Sequence, residues 1–187
     1  MTLLTHEQLE VMLPGARDAD LIKFLSPINL TLLEFKIDTP LRIAAFIAQI
    51  GHESGSLRYV EEIASGKAYE LRADLGNLDK IALEIAHANY STTGVFYKGR
   101  GLIQITGYTN YVACSLGLGI DCVRKPRLLS EPLNAARSAG WFWSTKDLNK
   151  KADLELFTSI TKRINGGTYG AEDRNDRYAL CKEVMGC

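Results

Sequence analysis

The feature that most constrains this chain is an apolar run that ends on a carboxyl. Thr39-Pro40 reads as a helix N-cap with proline at the first helical position, where a missing N–H removes no intrahelical bond. Behind it Leu41, Ile43, Ala44, Ala45, Ile47 and Ile50 are placed for deep burial, and the helix runs into Gly51-His52-Glu53 before Ser54-Gly55-Ser56. A carboxyl at such an edge can be partly desolvated, the condition under which a glutamic acid keeps its proton long enough to donate it. The plainer alternative is an ordinary charged helix terminus. His52 offers a structural hydrogen bond and has no serine or cysteine signature that would make it a triad base.

The rest of the chain predicts a mainly α fold with an irregular, glycine-rich middle. Thr5 and Gln8 form a capping-box pattern for a helix through Leu13. Asp18–Leu25 reads as a helix interrupted by Pro27, with a second helical face over Ile28–Phe35. Further helices are expected at Leu78–Ala88, Pro132–Trp143 capped by Ser130, Leu154–Ile164 and Asp173–Met185. Trp141, Phe142 and Trp143 read as core. Only Gly101–Thr106 alternates like a strand, and its flanking glycines favour a loop or short β-piece.

With 187 residues, no repeat and no long linker, one domain covering residues 1–187 is expected. Lys plus Arg equals Asp plus Glu at 22 each, so no global field draws in nucleic acid or an anionic membrane. A local excess remains, with Lys98, Arg100, Arg124, Lys125, Arg127 and Arg137 against Asp121 and Glu131. The N-terminus lacks a signal-peptide pattern, and the longest apolar run is far short of the ~20 residues a bilayer needs, so no stable membrane insertion is expected. Cys114, Cys122, Cys181 and Cys187 lack zinc-site spacing; no metal or other cofactor is expected, and their redox state stays open.

Glu61 and Glu62 are the second carboxyl candidates. In one unbroken helix Glu53 and Glu62 would stand about 13.5 Å apart on opposite faces, so a working pair demands a chain reversal, which Ser54-Gly55-Ser56 supplies. Adjacent glutamates are otherwise simply solvated. In Tyr97–Gly107, Gln104 and Thr106 share one side if the segment is extended, where an amide and a hydroxyl would orient a water and a sugar; the alternative is a buried turn. Asn165-Gly166-Gly167 reads locally as a helix C-cap, with the asparagine still able to face a cleft.

In order along the chain, His52-Glu53-Ser54-Gly55, Glu62, Tyr69–Asn77, Gly99-Arg100-Gly101-Leu102-Ile103-Gln104-Ile105-Thr106, Ile164-Asn165-Gly166-Gly167 and Asp173-Arg174 resemble glycoside hydrolase family 19. The resemblance covers roughly residues 40 to 180 and is nearest to small bacteriophage endolysins of Gram-negative hosts. It implies a lysozyme-like helical domain with a deep central cleft and little β structure. It implies an inverting mechanism with Glu53 as general acid and Glu62 as general base, Glu61 being second choice. Thr106 matches a position that holds the attacking water, Gln104, Tyr97, Tyr111 and Asn165 match positions that bind sugar or order the site, and Arg174 matches a supporting basic residue.

The activity so implied is hydrolysis of the β-1,4 bond between N-acetylmuramic acid and N-acetylglucosamine in peptidoglycan, by a monomer without a separate cell-wall-binding module. It would be held in the host cytoplasm until a holin-type pore opens. Chitinase, lytic transglycosylase and a non-catalytic glycan binder are the alternatives. The chain departs from the family pattern between Asn77 and Phe96, where residues 78–95 carry a helix-like insertion. As an added wall on the cleft, it should be removable over Leu78–Asn89 with more effect on substrate choice than on stability.

Overall fold

The computed structural model describes residues 3–187. Its helices are α1 (His6–Met12), α2 (Asp18–Glu34), α3 (Pro40–Glu53), α4 (Lys80–Ala88), α5 (Thr93–Phe96), α6 (Tyr108–Leu118), α7 (Pro132–Thr145), α8 (Leu148–Asp153), α9 (Phe157–Asn165) and α10 (Ala171–Met185). Single 3-10 turns stand at Lys67–Tyr69, Ala73–Leu75 and Pro126–Ser130. Helix accounts for 63% of the chain and no sheet forms among the described residues, so helix packing alone organises the core. This is the lysozyme-like helical class expected.

α3 is the central element. Ile43 through Gly51 are all buried, and the Thr39 side chain accepts from Arg42 N at 3.4 Å at the entry. Each fully buried Ile or Phe on such a helix contributes about 1.5–3 kcal/mol. α10 packs along α3, and at Gly51 an added Cβ would lie 2.7 Å from Leu13 Cδ2, which fixes the close approach of the α1–α2 corner. The Phe46 ring meets Trp143 of α7 edge-on at 5.3 Å.

Two hydrophobic clusters result. The larger joins α1, α2, α3, α7, α8, α9 and α10; the smaller gathers Ala82, Tyr97, Ile105, Tyr111, Cys114, Leu118, Cys122 and Leu129, with Phe35 and Phe142 packed against both. The four cysteines are free thiols, three buried and Cys187 exposed.

Several local expectations are corrected. Pro27 does not interrupt α2, because Phe24, Ile28 and Leu32 on one face are fully buried and hold both halves in line. Ser130 does not cap α7; Glu131 takes the N-cap position, and the Ser130 hydroxyl donates to Glu61 at 3.3 Å. The helix expected over Leu154–Ile164 is present but begins later, at Phe157, because Glu155 in a left-handed conformation (φ 52°) makes a corner after α8.

Gly101–Thr106 forms the loop with a short β-contact that its flanking glycines favour, and is not extended. Residues 101–104 turn back so that Arg100 and Ile105 exchange backbone bonds of 3.2 and 2.8 Å. The 78–95 segment is anchored to the body of the protein: Ala82 and Ala86 are fully buried, and Ala82 packs in the smaller cluster. Removing it would open that cluster. The α6 helix is a further difference from expectation: Tyr111, Cys114 and Leu118 bury one side of it in the smaller cluster, and a Cβ on Gly117 would fall 2.1 Å from Trp141 Nε1, so it also approaches α7 closely.

Candidate active site

Glu53 is the last residue of α3, its side chain one-fifth exposed. One carboxyl oxygen accepts from Arg174 of α10, a side chain 2% exposed. The same guanidinium donates to the Gln49 amide oxygen one turn earlier on α3. Gln49, fully buried, passes its amide N–H to the Thr161 hydroxyl of α9 at 2.8 Å. Thr161, Gln49, Arg174 and Glu53 therefore form a hydrogen-bonded chain across three helices that fixes the carboxyl from inside the core.

His52 is oriented outward from the same turn. Its Nδ1 lies 2.6 Å from Asp173, which also accepts from Arg177 at 2.8 Å. Burial pushes the Asp173 carboxyl up, but the Arg177 and His52 bonds outweigh it and hold the group below its ordinary value. Gly170, at φ +66°, lets the backbone pass the imidazole where a Cβ would fall 2.4 Å from His52 Cε1. That contact seats the 165–170 loop beside the end of α3. Asn165 closes the loop internally, donating to Tyr169 O and accepting from Gly167 N, both at 2.8 Å. Its polar atoms thus order the loop, as its C-cap reading predicted.

The reversal after Glu53 is present and is unusually tight. Gly55, Ser56 and Leu57 are consecutive residues at positive φ (57°, 56° and 68°). For the two non-glycine residues this is a conformation that costs of order 1–3 kcal/mol each and persists only when the surroundings impose it. The surroundings are the Ser54 hydroxyl, which donates to Ile50 O at 2.6 Å and accepts from Leu57 N at 2.8 Å, and the Ser56 N bond to Gly51 O at 2.7 Å.

The returning strand of chain lays Val60–Glu62 against Gly99–Gly101, with Glu62 N donating to Gly99 O and Gly101 N to Val60 O, both at 2.9 Å. Glu62 is clamped at both carboxyl oxygens, by Tyr69 Oη at 3.0 Å and by Gly99 N at 3.1 Å. Burial first, and the Glu62 bond second, raise the Tyr69 phenol above its ordinary value, so it stays a donor. Gln104, half-buried, lies over Gly99, where a Cβ would fall 2.4 Å from its amide oxygen. Thr106 is also half-buried, and its hydroxyl has no bonding partner among the described residues. It holds the next turn through its carbonyl, which accepts from Asn110 at 2.7 Å.

Glu61 points into a different environment. Lys98 Nζ stands at 2.9 Å and Arg100 Nε at 3.3 Å. Burial would raise its pKa, but the bond to Lys98 and the charge of Arg100 together lower it below the ordinary carboxylate value. Arg100, itself 4% exposed, also donates to Phe96 O at 2.9 Å and to the Tyr111 hydroxyl at 3.0 Å, which in turn donates to Lys98 O at 2.8 Å.

Tyr97 and Tyr111 are fully buried. Neither presents a surface to a polymer; they support the 97–107 loop from behind, which corrects the expectation of direct sugar contact. Arg174 is likewise buried and reaches a substrate only through Glu53. The residues absent from the sequence reading are Gln49 and Thr161, and Lys98 and Arg100 stand there as a local charge excess, without their pairing to Glu61. Gln49 carried a signal, being the one polar side chain inside the apolar stretch of α3 and one turn before Glu53.

Comparison with known proteins gives this geometry its context. The family model described as chitinase class I, of glycoside hydrolase family 19, matches residues 37–179. A Haemophilus influenzae protein described as a glycosyl hydrolase family 19 domain-containing protein is 32% identical over 156 residues, covering 72% of this chain and 76% of its own length. An Arabidopsis thaliana endochitinase is 39% identical over 127 residues, which span 67% of this chain but only 39% of the plant protein. Among solved structures, chitinase C of Streptomyces griseus superposes with a TM-score of 0.74 at 22% identity, over 99% of this chain and 77% of that one. Another bacterial family 19 chitinase gives 0.75 at 24%, over 98% and 95%. The chain belongs to glycoside hydrolase family 19, the chitinase-like glycosidases.

Proposed function

We propose that this protein is a peptidoglycan-degrading endolysin that cleaves the β-1,4 bond between N-acetylmuramic acid and N-acetylglucosamine with inversion. Glu53 protonates the leaving oxygen, and Glu62 takes a proton from a water that attacks the opposite face of the sugar. The observation that carries the reading is the separate fixation of the two carboxyls after the 54–57 reversal, Glu53 by Arg174 and Glu62 by Gly99 N and Tyr69.

Glu61 is the weaker base because two cations already occupy it. A lowered affinity for protons is the wrong direction for a group that must accept one. Gln104, which lies over the Gly99 that clamps Glu62, and the Thr106 hydroxyl, unpartnered among the described residues, serve to hold the water and a sugar. Asn165 orders the 165–170 loop, which lies against His52 beside Glu53. The enzyme acts as a monomer that waits in the host cytoplasm for a holin-type pore.

Chitin is the second substrate reading, favoured by the plant endochitinase among the relatives. Digestion of purified sacculi followed by mass spectrometry of the muropeptides, beside a chitin-oligomer assay, separates the possibilities. Reducing-end muropeptides that are absent with Glu53→Gln support the proposal. Turnover of chitin alone favours the second reading, and 1,6-anhydro products indicate a transglycosylase.

A further inference from the structure

Away from Glu53 and Glu62, the junction of α7, α8 and α9 encloses an open cavity of about 770 Å³. Five cations line it, Lys146, Lys150, Lys151, Lys162 and Arg163, against the single carboxylate of Asp147. In a chain whose formal charge sums to zero, this is a local concentration and not a reflection of overall composition.

The neighbouring acids that would neutralise it are turned elsewhere. Asp153 pairs with Arg42 at 2.7 Å and Glu155 with Lys182 at 2.5 Å. None of the five cations forms a salt bridge among the described residues; Lys151 Nζ spends one bond on the Ser159 hydroxyl at 3.1 Å. Helix polarity accounts for cations at the last turns of α8 and α9 taken one at a time. It does not account for both helix ends, and the end of α7, converging on one concavity. Asp147 (φ 54°) and Glu155 (φ 52°), both left-handed, make the two corners that bring them together.

A second basic cavity, of about 520 Å³ and lined by Arg100, Arg124, Lys125 and Arg127, leaves only the last two without a salt bridge among the described residues. There Arg100 is held by Glu61, and Arg124 lies 3.6 Å from Asp121.

We propose that the α7–α9 cavity is a second binding site, for the carboxylates of peptidoglycan stem peptides. The proposal rests on the peptidoglycan reading above and deepens it, because chitin carries no anionic group for such a site to hold. Unpaired cations in a concave wall raise the local concentration of an anionic polymer. The half-exposed Leu154 and Leu156 on the rim offer the apolar contact that aliphatic peptide side chains would cover. A glycan strand whose peptides are gripped here is retained between cleavages.

The test is pelleting with purified Gram-negative sacculi, in a Glu53→Gln background that halts digestion. Lys150→Glu with Arg163→Glu, both at exposed positions, should weaken binding to intact sacculi about threefold to tenfold at low salt, with the difference lost at high salt. Lys150→Arg should bind like its parent, and amidase-stripped strands should not distinguish the charge-reversed variant from its parent. Unchanged melting and unchanged turnover of a chitin oligomer by the same pair in the active enzyme show that the fold and the catalytic centre are intact.

Equal binding of parent and charge-reversed variant to intact sacculi overturns the site. So does an equal loss on stripped strands, or a charge-dependent recruitment to phosphatidylglycerol vesicles in place of sacculi. Pelleting that follows charge while the active enzyme releases no muropeptides sinks the hydrolytic reading and leaves the site standing. Muropeptide release with charge-blind pelleting does the reverse.

Discussion

Glu53 and Glu62 are held by opposite means. Glu53 sits at the end of the most buried helix and is fixed by a side-chain relay that starts in α9 and passes through α3 and α10. Glu62 sits in irregular chain and is fixed by a backbone N–H and a phenol, on a loop braced by Arg100, Tyr97 and Tyr111. The first carboxyl depends on the core and the second on turn geometry. Damage to the first should therefore appear in stability as well as activity, whereas damage to the second should appear mainly in activity.

Arg174→Met is the harshest test of the contrast. It leaves the Gln49 amide oxygen and the Glu53 carboxyl without their shared donor, at a cost of about 3 kcal/mol. A chain of this size should then melt roughly 6–12 °C lower, with activity lost. An unshifted melting curve would break the claim that the relay is structural.

Gly99→Ala should act on the other side. The new Cβ meets the Gln104 amide at 2.4 Å, so Gln104 swings away and the N–H that clamps Glu62 is displaced. Turnover should fall about tenfold or more while stability falls by about 1–2 kcal/mol, because the amide is the far end of a flexible side chain. Steady-state kinetics beside a thermal melt reads both.

Tyr69→Phe removes one of the two bonds to Glu62 and leaves the ring in place. A several-fold drop in kcat with a stability change of ~1 kcal/mol or less is expected. A change in KM alone would place Tyr69 on the substrate instead.

The smallest effect is in the pH dependence of Glu61→Gln. Glu61 has a depressed pKa in the folded state, so its contribution is present above its unfolded value and is lost as pH falls through the folded one. The melting difference between wild type and Glu61→Gln should thus be largest near neutrality, begin to shrink near about pH 4 and vanish only below the depressed folded-state value. Retained activity near neutrality would agree with a structural role.

What was legible in the sequence follows the same division. The helix-borne half was open to local rules: the Thr5–Gln8 capping box forms in full, and Thr39-Pro40 opens α3 where expected. The reversal after Glu53 was legible too, since nine residues of helix would have separated the carboxyls. Pro27 and Ser130 misled because tertiary packing overrode local preference, with Ser130 drawn to Glu61, and the start of α9 was placed three residues early because Glu155 turns a left-handed corner.

The loop-borne half was legible only in its residue types. That Lys98 and Arg100 neutralise Glu61 is a contact between segments, and that Gln104 rests on Gly99 depends on a turn of irregular chain; no helical or strand spacing encodes either. The sequence alone therefore pointed to Glu53 more directly than it chose between Glu61 and Glu62.

The most direct measurement is the anomeric form of the product at first release, followed by proton NMR on a soluble β-1,4-linked substrate. An acid at Glu53 and a water-activating base at Glu62 predict the α-anomer first, with the β-anomer growing in only by mutarotation. The β-anomer appearing first would mean a double displacement, through an enzyme nucleophile or the substrate's own acetamido group, and would contradict the account.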